Sequence, residues 1–142
     1  MAVHPRVLMV EDHDEVAELF QLKLQLDGYR VAVANNGLRG LEMARSLLPD
    51  IVLLDVHLPR LDGLQVLTAL REDATTRDML VVVFSDDDDP ALMREAERLN
   101  AASYLVKVQL LPSRLSRTIA DLLSNRPSGM RRDDMGGVSR AS

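Results

Sequence analysis

Two stretches of this chain, "IVLL" before Asp55 and "LVVVF" before Ser85, are apolar at every position, with no polar alternation. A strand with one wet face alternates in period two, so an unbroken apolar run marks a strand covered on both faces. "RVLMV" (Arg6–Val10), "RVAVA" (Arg30–Ala34) and "SYLV" (Ser103–Val106) are three more short runs of strand length. Longer amphipathic segments separate them. "DEVAELFQLKLQLDG" carries Val16, Leu19, Phe20, Leu22, Leu24 and Leu26 near helical spacing, with Asp14 placed as N-cap and Gly28 as stop. "NNG" opens a helix expected over Leu38 to Leu48, with Leu41, Ala44, Leu47 and Leu48 inward. "LQVLTALRED" forms a third helix. "PALMREAERLN" forms a fourth, with Asp89 as cap, Pro90 in its first turn and Asn100 at its end. "LPSRLSRTIADLLS" forms the last.

Five repeats of strand then helix imply a parallel sheet with helices on both faces. Right-handed crossovers reduce the options to an α/β doubly wound fold with a five-stranded parallel sheet. Ligands of such sheets bind outside the carboxyl ends of the strands. The chain has 142 residues, enough for one domain with a real core. The expected division is a domain over residues 1–124 and a disordered tail over 125–142. "NRPSGMRRDDMGGVSRAS" has too little apolar content to offset its ordering entropy.

Net charge is −5, which argues against a nucleic-acid footprint. There is no cysteine, so disulfide and thiol chemistry are excluded. No run approaches the roughly 18 apolar residues of a membrane span, and the start is too short in apolar residues for a signal peptide. A soluble cytoplasmic protein with no membrane contact is the expectation.

The residues that close the strands carry the chemistry. The first strand ends at Glu11-Asp12, the third at Asp55, the fourth at Ser85 and the fifth at Lys107, while the second ends at Asn35. If the first and third strands are neighbours, three carboxylates crowd into one cleft and repel. A hard divalent cation relieves that, and magnesium favours a few carboxylates with a phosphoryl oxygen. Ser85 offers a hydroxyl and Lys107 a fixed positive charge for an anion approaching the metal. An aspartate in that company is a candidate nucleophile toward phosphorus. Taken singly, each carboxylate could instead cap a helix. The histidines, His4, His13 and His57, do not form a metal-ligand spacing of their own.

In order and spacing, "MVEDHD", "IVLLDVHLPRLDG", "VVVFS" and "SYLVK" resemble the receiver domain of two-component response regulators, over Val7 to about Leu123. The resemblance implies a flavodoxin-like strand order 2-1-3-4-5. It implies Asp55 as the phospho-accepting aspartate. Asp12 would be a direct Mg2+ ligand, Glu11 would act largely through water, and the His57 backbone carbonyl would complete the protein ligands. Ser85 would bond the phosphoryl group, Lys107 would pair with it, and Tyr104 matches the switch aromatic. Pro59, Asp62 and Gly63 match the loop after the acceptor. The implied function is a stand-alone phosphorelay receiver, not an enzyme on an external substrate, that takes its phosphoryl group from a sensor histidine kinase. "REDATTRDMLVVVFS" resembles small regulators paired with bacterial phytochromes. Homodimerisation through the fourth helix, fifth strand and last helix is left open by the leucines at 110, 111, 115, 122 and 123 and by Ile119. So are two alternatives: a degenerate receiver acting as an interaction module, and a fragment of a larger hybrid kinase. A haloacid dehalogenase-type phosphatase would need an aspartate where His57 stands.

The chain departs from that family in places. Val108 replaces the usual proline after the lysine, where a cis bond would cost about 3–4 kcal/mol, so Lys107–Val108 is expected trans with a displaced start to the last helix. Asn100 replaces a glycine, mild because Asn tolerates left-handed geometry. Asp86 replaces a small residue after the serine. A carboxylate about 8 Å from a phosphoryl charge repels it by roughly 0.5 kcal/mol in water, so Asp86 and Asp87 are expected to slow phosphoryl uptake. His57, two residues after Asp55, is expected at the rim of the same pocket.

Overall fold

A computed structural model describes residues 4–126. The strands are β1 (Arg6–Val10), β2 (Arg30–Ala34), β3 (Ile51–Leu54), β4 (Leu80–Ser85) and β5 (Ser103–Val106). The helices are α1 (Asp14–Leu26), α2 (Gly37–Leu47), α3 (Gly63–Glu72), α4 (Pro90–Arg98) and α5 (Pro112–Ser124). All strand pairs are parallel, in the order β2-β1-β3-β4-β5. This is the flavodoxin-like doubly wound arrangement. Most of the expected tail, residues 127–142, lies outside the described residues.

The unbroken apolar strands have a plain cause. Val7, Met9, Ile51, Leu53, Val82 and Phe84 point to the side covered by α1 and α5, where they meet Ala17, Phe20, Leu24, Leu115 and Ile119. Leu8, Val10, Val52, Leu54 and Val81 point to the other side, onto Leu41, Ala44, Val66, Leu67 and Leu70 of α2 and α3. Period two therefore splits each run between two cores. Each fully buried leucine contributes roughly 1.5–3 kcal/mol of burial. Phe20 and Phe84 add an edge-to-face pair at 5.8 Å.

Several local expectations shift. The N-cap of α1 is His13, not Asp14, which is the first helical residue. His13 holds extended backbone while its side chain makes no capping bond. Helix α1 ends at Leu26 with Asp27 as its C-cap, and Gly28 follows at a φ of +98°, which suits glycine. Helix α2 spans Gly37–Leu47 rather than 38–48, because Leu48 turns left-handed at φ 47°. On α1 the buried face is Ala17, Phe20 and Leu24, while Leu19, Leu22 and Leu26 stand 54%, 58% and 74% exposed. Two stripes of apolar residues satisfy the helical period, and only one of them is core.

Asn100 adopts φ 61°, as its replacement of glycine requires. The described residues contain no cis peptide, so Lys107–Val108 is trans. A single 3-10 turn at Lys107–Gln109 then precedes α5 at Pro112. In α5 and its approach, Leu115 and Ile119 are buried, and Leu110, Leu122 and Leu123 pack against the same core. Leu111 is 68% exposed, so the apparent leucine surplus is mostly core.

Candidate functional site

Register places the candidate residues. Val10 pairs with Leu54, Leu54 with Val83, and Ser85 with Val106. Glu11, Asp55, Ser85 and Lys107 therefore leave the sheet at one edge, with β1 and β3 side by side where the strand order reverses. The backbone holds Asp55 there through its N–H to the Val10 carbonyl at 3.2 Å. Gly63 is needed just beyond. A Cβ at that position would lie 2.0 Å from the Asp55 carbonyl oxygen, so only glycine lets α3 begin so close to the acceptor strand. A capping box between Asp62 and Gln65 fixes the start of α3.

Glu11 is fully buried, Asp55 is 4% exposed and Ser85 1% exposed. Lys107 reaches over the edge and donates to Glu11 Oε1 at 2.5 Å and Asp55 Oδ2 at 3.0 Å. Its ammonium also lies 5.2 Å from the Phe84 ring centroid. Burial by itself pushes the Lys107 pKa down. The hydrogen bonds and charges of Glu11 and Asp55 outweigh that and hold it above the ordinary lysine value. The other Asp55 oxygen, Oδ1, accepts from the His57 backbone N–H at 3.3 Å.

Asp12 is different. Its Oδ1 is buried and has no hydrogen-bond partner among the described residues. An orphaned carboxylate oxygen grouped with the Glu11 carboxylate, which Lys107 joins to Asp55, fits an oxygen-seeking cation, so the residues suit the magnesium ion that their pattern implies. Asp12, Asp55 and Glu11 would hold it with the His57 carbonyl. His13, which sequence reasoning left aside, stands against the same group. Its Nδ1 lies 3.4 Å from Glu11 Oε2 and 3.5 Å from Asp12 Oδ1. The signal was simple adjacency, since His13 directly follows the two acids.

The second group forms around Asp87. His57 Nε2 donates to Asp87 Oδ2 at 2.7 Å, joining the β3–α3 loop to the β4–α4 loop. That hydrogen bond, helped by one from the Asp89 N–H, holds the Asp87 carboxyl below its usual range. The Asp87 N–H donates to Ser85 Oγ at 3.2 Å, and its carbonyl accepts from the Tyr104 hydroxyl at 2.5 Å. Burial, with the charges of Asp87, Asp55 and Asp88, raises the Tyr104 pKa against an opposing hydrogen bond from Ser85. Asp87 thus ties His57, Ser85 and Tyr104 into one unit. Asp86 is exposed and stands apart from it. Asp89 caps α4 by accepting from the Ala91 N–H at 2.9 Å. Among the described residues no helix is long and apolar enough to cross a membrane.

Comparison with known proteins agrees with this fold. Residues 7–119 match the family model described as the response regulator receiver domain. The chain is 40% identical over 107 residues to the transcriptional regulatory protein CseB of Streptomyces coelicolor, a match covering 75% of this chain and 44% of CseB. It is 36% identical over 122 residues to the response regulator MprA of Mycobacterium leprae, covering 86% of this chain and 53% of MprA. The chain thus spans roughly half the length of these curated relatives. Among solved structures, the receiver domain of the putative response regulator NarL from Mycobacterium tuberculosis matches with a TM-score of 0.78 at 30% identity. That match covers 88% of this chain and 100% of the other.

Proposed function

We propose a specific use for this chain, which belongs to the response regulator receiver family: Asp55 accepts a phosphoryl group from the phosphohistidine of a sensor histidine kinase, and the chain signals through protein contacts. The family is a signalling module, and its members partner sensor histidine kinases. The observation that carries the reading is the Lys107 ammonium bridging Glu11 and Asp55 at a buried sheet edge.

The residues divide the work. An Asp55 oxygen attacks phosphorus as the bond to the donor imidazole nitrogen breaks, and the imidazole leaves with its ring nitrogen free to take a proton. Lys107, already 3.0 Å from Asp55, is placed to pair with the phosphoryl oxygens. Ser85 Oγ accepts from the Asp87 N–H, and its O–H, which bonds the Tyr104 oxygen, turns from there to donate to the phosphoryl group. The chemistry that magnesium supplies when bound in such a carboxylate set is neutralisation of charge on the transferring group.

Phosphorylation then has a route outward. When Ser85 turns to the phosphoryl group, the Asp87 N–H loses its acceptor, and the Asp87 carbonyl is the acceptor that holds Tyr104. The two states of that unit are the element whose balance shifts. Exposed apolar side chains support a protein partner near the site: Val108, 74% exposed, and Leu111 follow Lys107, and the leucine stripe of α1 follows the acidic pair. The chain's net charge of −5 supports protein rather than nucleic-acid contact.

The test is incubation with Mg2+ and acetyl phosphate, read by intact mass, with Asp55→Asn as control. A single phosphoryl adduct that Asp55→Asn abolishes is expected. No adduct together with no binding of beryllofluoride would refute the reading and favour a receiver that acts only as an interaction module.

A further inference from the structure

The carboxylates at the sheet edge account for an oxygen-ligated cation, but they leave His13 unexplained. Its ring is not a helix cap, because the α1 N-cap makes no side-chain bond. Nor is it well bonded to Glu11. At 3.4 Å, Nδ1 to Glu11 Oε2 lies beyond the usual range of about 2.7–3.2 Å for an N–H···O bond. The second approach, 3.5 Å to Asp12 Oδ1, ends on the buried oxygen that has no hydrogen-bond partner among the described residues.

Those separations match donors sharing one ion. Two ligand atoms each about 2.0–2.1 Å from a metal lie about 3.4 Å apart at a tetrahedral angle. At an octahedral right angle they lie about 3.0 Å apart. One donor atom each from Glu11, Asp12 and His13 lies within 4.8 Å of the others. The backbone places the ring: the His13 N–H donates to Glu11 Oε2 at 3.0 Å, fixing the Glu11 carboxylate beside it. Lys107 takes the other Glu11 oxygen and leaves this one facing His13. His57, the other histidine near the site, is committed through Nε2 to Asp87. His13 is 73% exposed, so an ion from solvent reaches it without opening the fold.

We propose that His13 supplies a nitrogen ligand that, with Glu11 and Asp12, lets this site take a borderline divalent transition-metal ion such as Co2+, Ni2+ or Zn2+. The proposal rests on the reading of the carboxylates as a cation site. Magnesium seeks oxygen and gains little from an imidazole, whereas imidazole suits the later first-row ions, whose affinities also rise along the series. The added His13 nitrogen therefore sets metal preference, with the Glu11 and Asp12 carboxylates common to both ions.

The experiment titrates the full chain with Mg2+ and with Co2+ by calorimetry, and follows the histidine ring protons by NMR during the Co2+ titration. His13→Ala and Asp12→Asn are the variants. Co2+ is expected to bind at least about tenfold more tightly than Mg2+, with paramagnetic shifts on the His13 ring. His13→Ala should remove most of that preference and leave Mg2+ affinity within about twofold. Asp12→Asn should weaken both ions. Mg2+ binding with Co2+ affinity unchanged in His13→Ala would overturn the proposal and leave the carboxylate site standing. So would cobalt shifts centred on the His4 ring. Failure of the parent chain to bind either ion would overturn the carboxylate site and the proposal together.

Discussion

Replacing Lys107 with methionine removes the ammonium that bridges two buried carboxylates while keeping a stem of similar shape over the Phe84 ring. The lost attractions are large in isolation. At an effective dielectric of about 20, pairs at these separations are each worth roughly 5–7 kcal/mol before desolvation is counted. Desolvation of three ions consumes much of that, so the net change is better taken from buried pairs broken on one side, about 3–5 kcal/mol. The penalty arises because Glu11, fully buried, and Asp55, 4% exposed, are left facing each other. With an unfolding entropy of about 2.1 cal/mol/K per residue over about 120 residues, a loss of about 4 kcal/mol lowers Tm by about 15 °C. Thermal and urea melts in EDTA measure it. The same melts in millimolar Mg2+ should show a smaller gap, because a cation among the carboxylates replaces part of the missing charge. The sign of the pH dependence is also fixed. The Lys107 pKa is raised in the fold, so its contribution is complete below the ordinary lysine value and fades only as pH rises through the higher folded value. The gap between parent and variant should therefore be flat from about pH 6 to about pH 9. A loss below about 1 kcal/mol, or one that Mg2+ leaves unchanged, would refute the view that Lys107 holds a mutually repelling carboxylate pair.

Three other outcomes are expected. Arg71 donates to the carbonyls of Leu99, Arg77, Met79 and Asn100, binding the end of α3 to the segment before β4 and to the residues that close α4. Arg71→Ala should cost about 2–4 kcal/mol in urea melts, and Arg71→Lys should recover less than half of it, since an ammonium lacks the planar fork. Ser116 donates to Asp27 Oδ2 at 2.5 Å, the first cause of the depressed Asp27 pKa. That stability is present above the ordinary aspartate value and lost as pH falls through the lower folded one. Ser116→Ala should therefore make the acid limb of a urea-midpoint profile shallower, and an unchanged limb would refute the role. Asp87 is tied to His57, Ser85 and Tyr104, so exposed Asp86 is the carboxylate whose charge can be removed without disturbing that unit. Asp86→Ala should speed phosphorylation by acetyl phosphate about twofold at low salt, with the gain shrinking as salt rises, and equal rates at every salt would end the idea.

The strands and the site residues were legible in the sequence for the same physical reason. Each candidate ligand or charge immediately follows an apolar run, and a parallel sheet brings the ends of such runs to one edge, so position along the chain converts directly into position in space. Glu11, Asp12, Asp55, Ser85 and Lys107 needed only the strand order. What was hidden depends on direction around a helix or on contacts between loops. Apolar residues on both faces of α1 satisfy one helical period equally, and only packing separates the inward Phe20 and Leu24 from the outward Leu19, Leu22 and Leu26. Arg71 reads as an ordinary surface arginine near a helix end, because its acceptors are backbone carbonyls that carry no side-chain signature. His57 and Asp87 each read as a neighbour of the pocket, but their pairing across 30 positions required two loops to close over the same edge. That pairing changes the sense of the acidic run after Ser85. Within "DDDD" Asp89 is the helix cap that the sequence indicates, while Asp87, expected only to repel, is a hub between the acceptor loop, Ser85 and Tyr104. Charge alone therefore does not decide how this run acts on Asp55: one of its members works by holding neighbours in place, and that effect should persist at high salt, where the repulsion from Asp86 is screened.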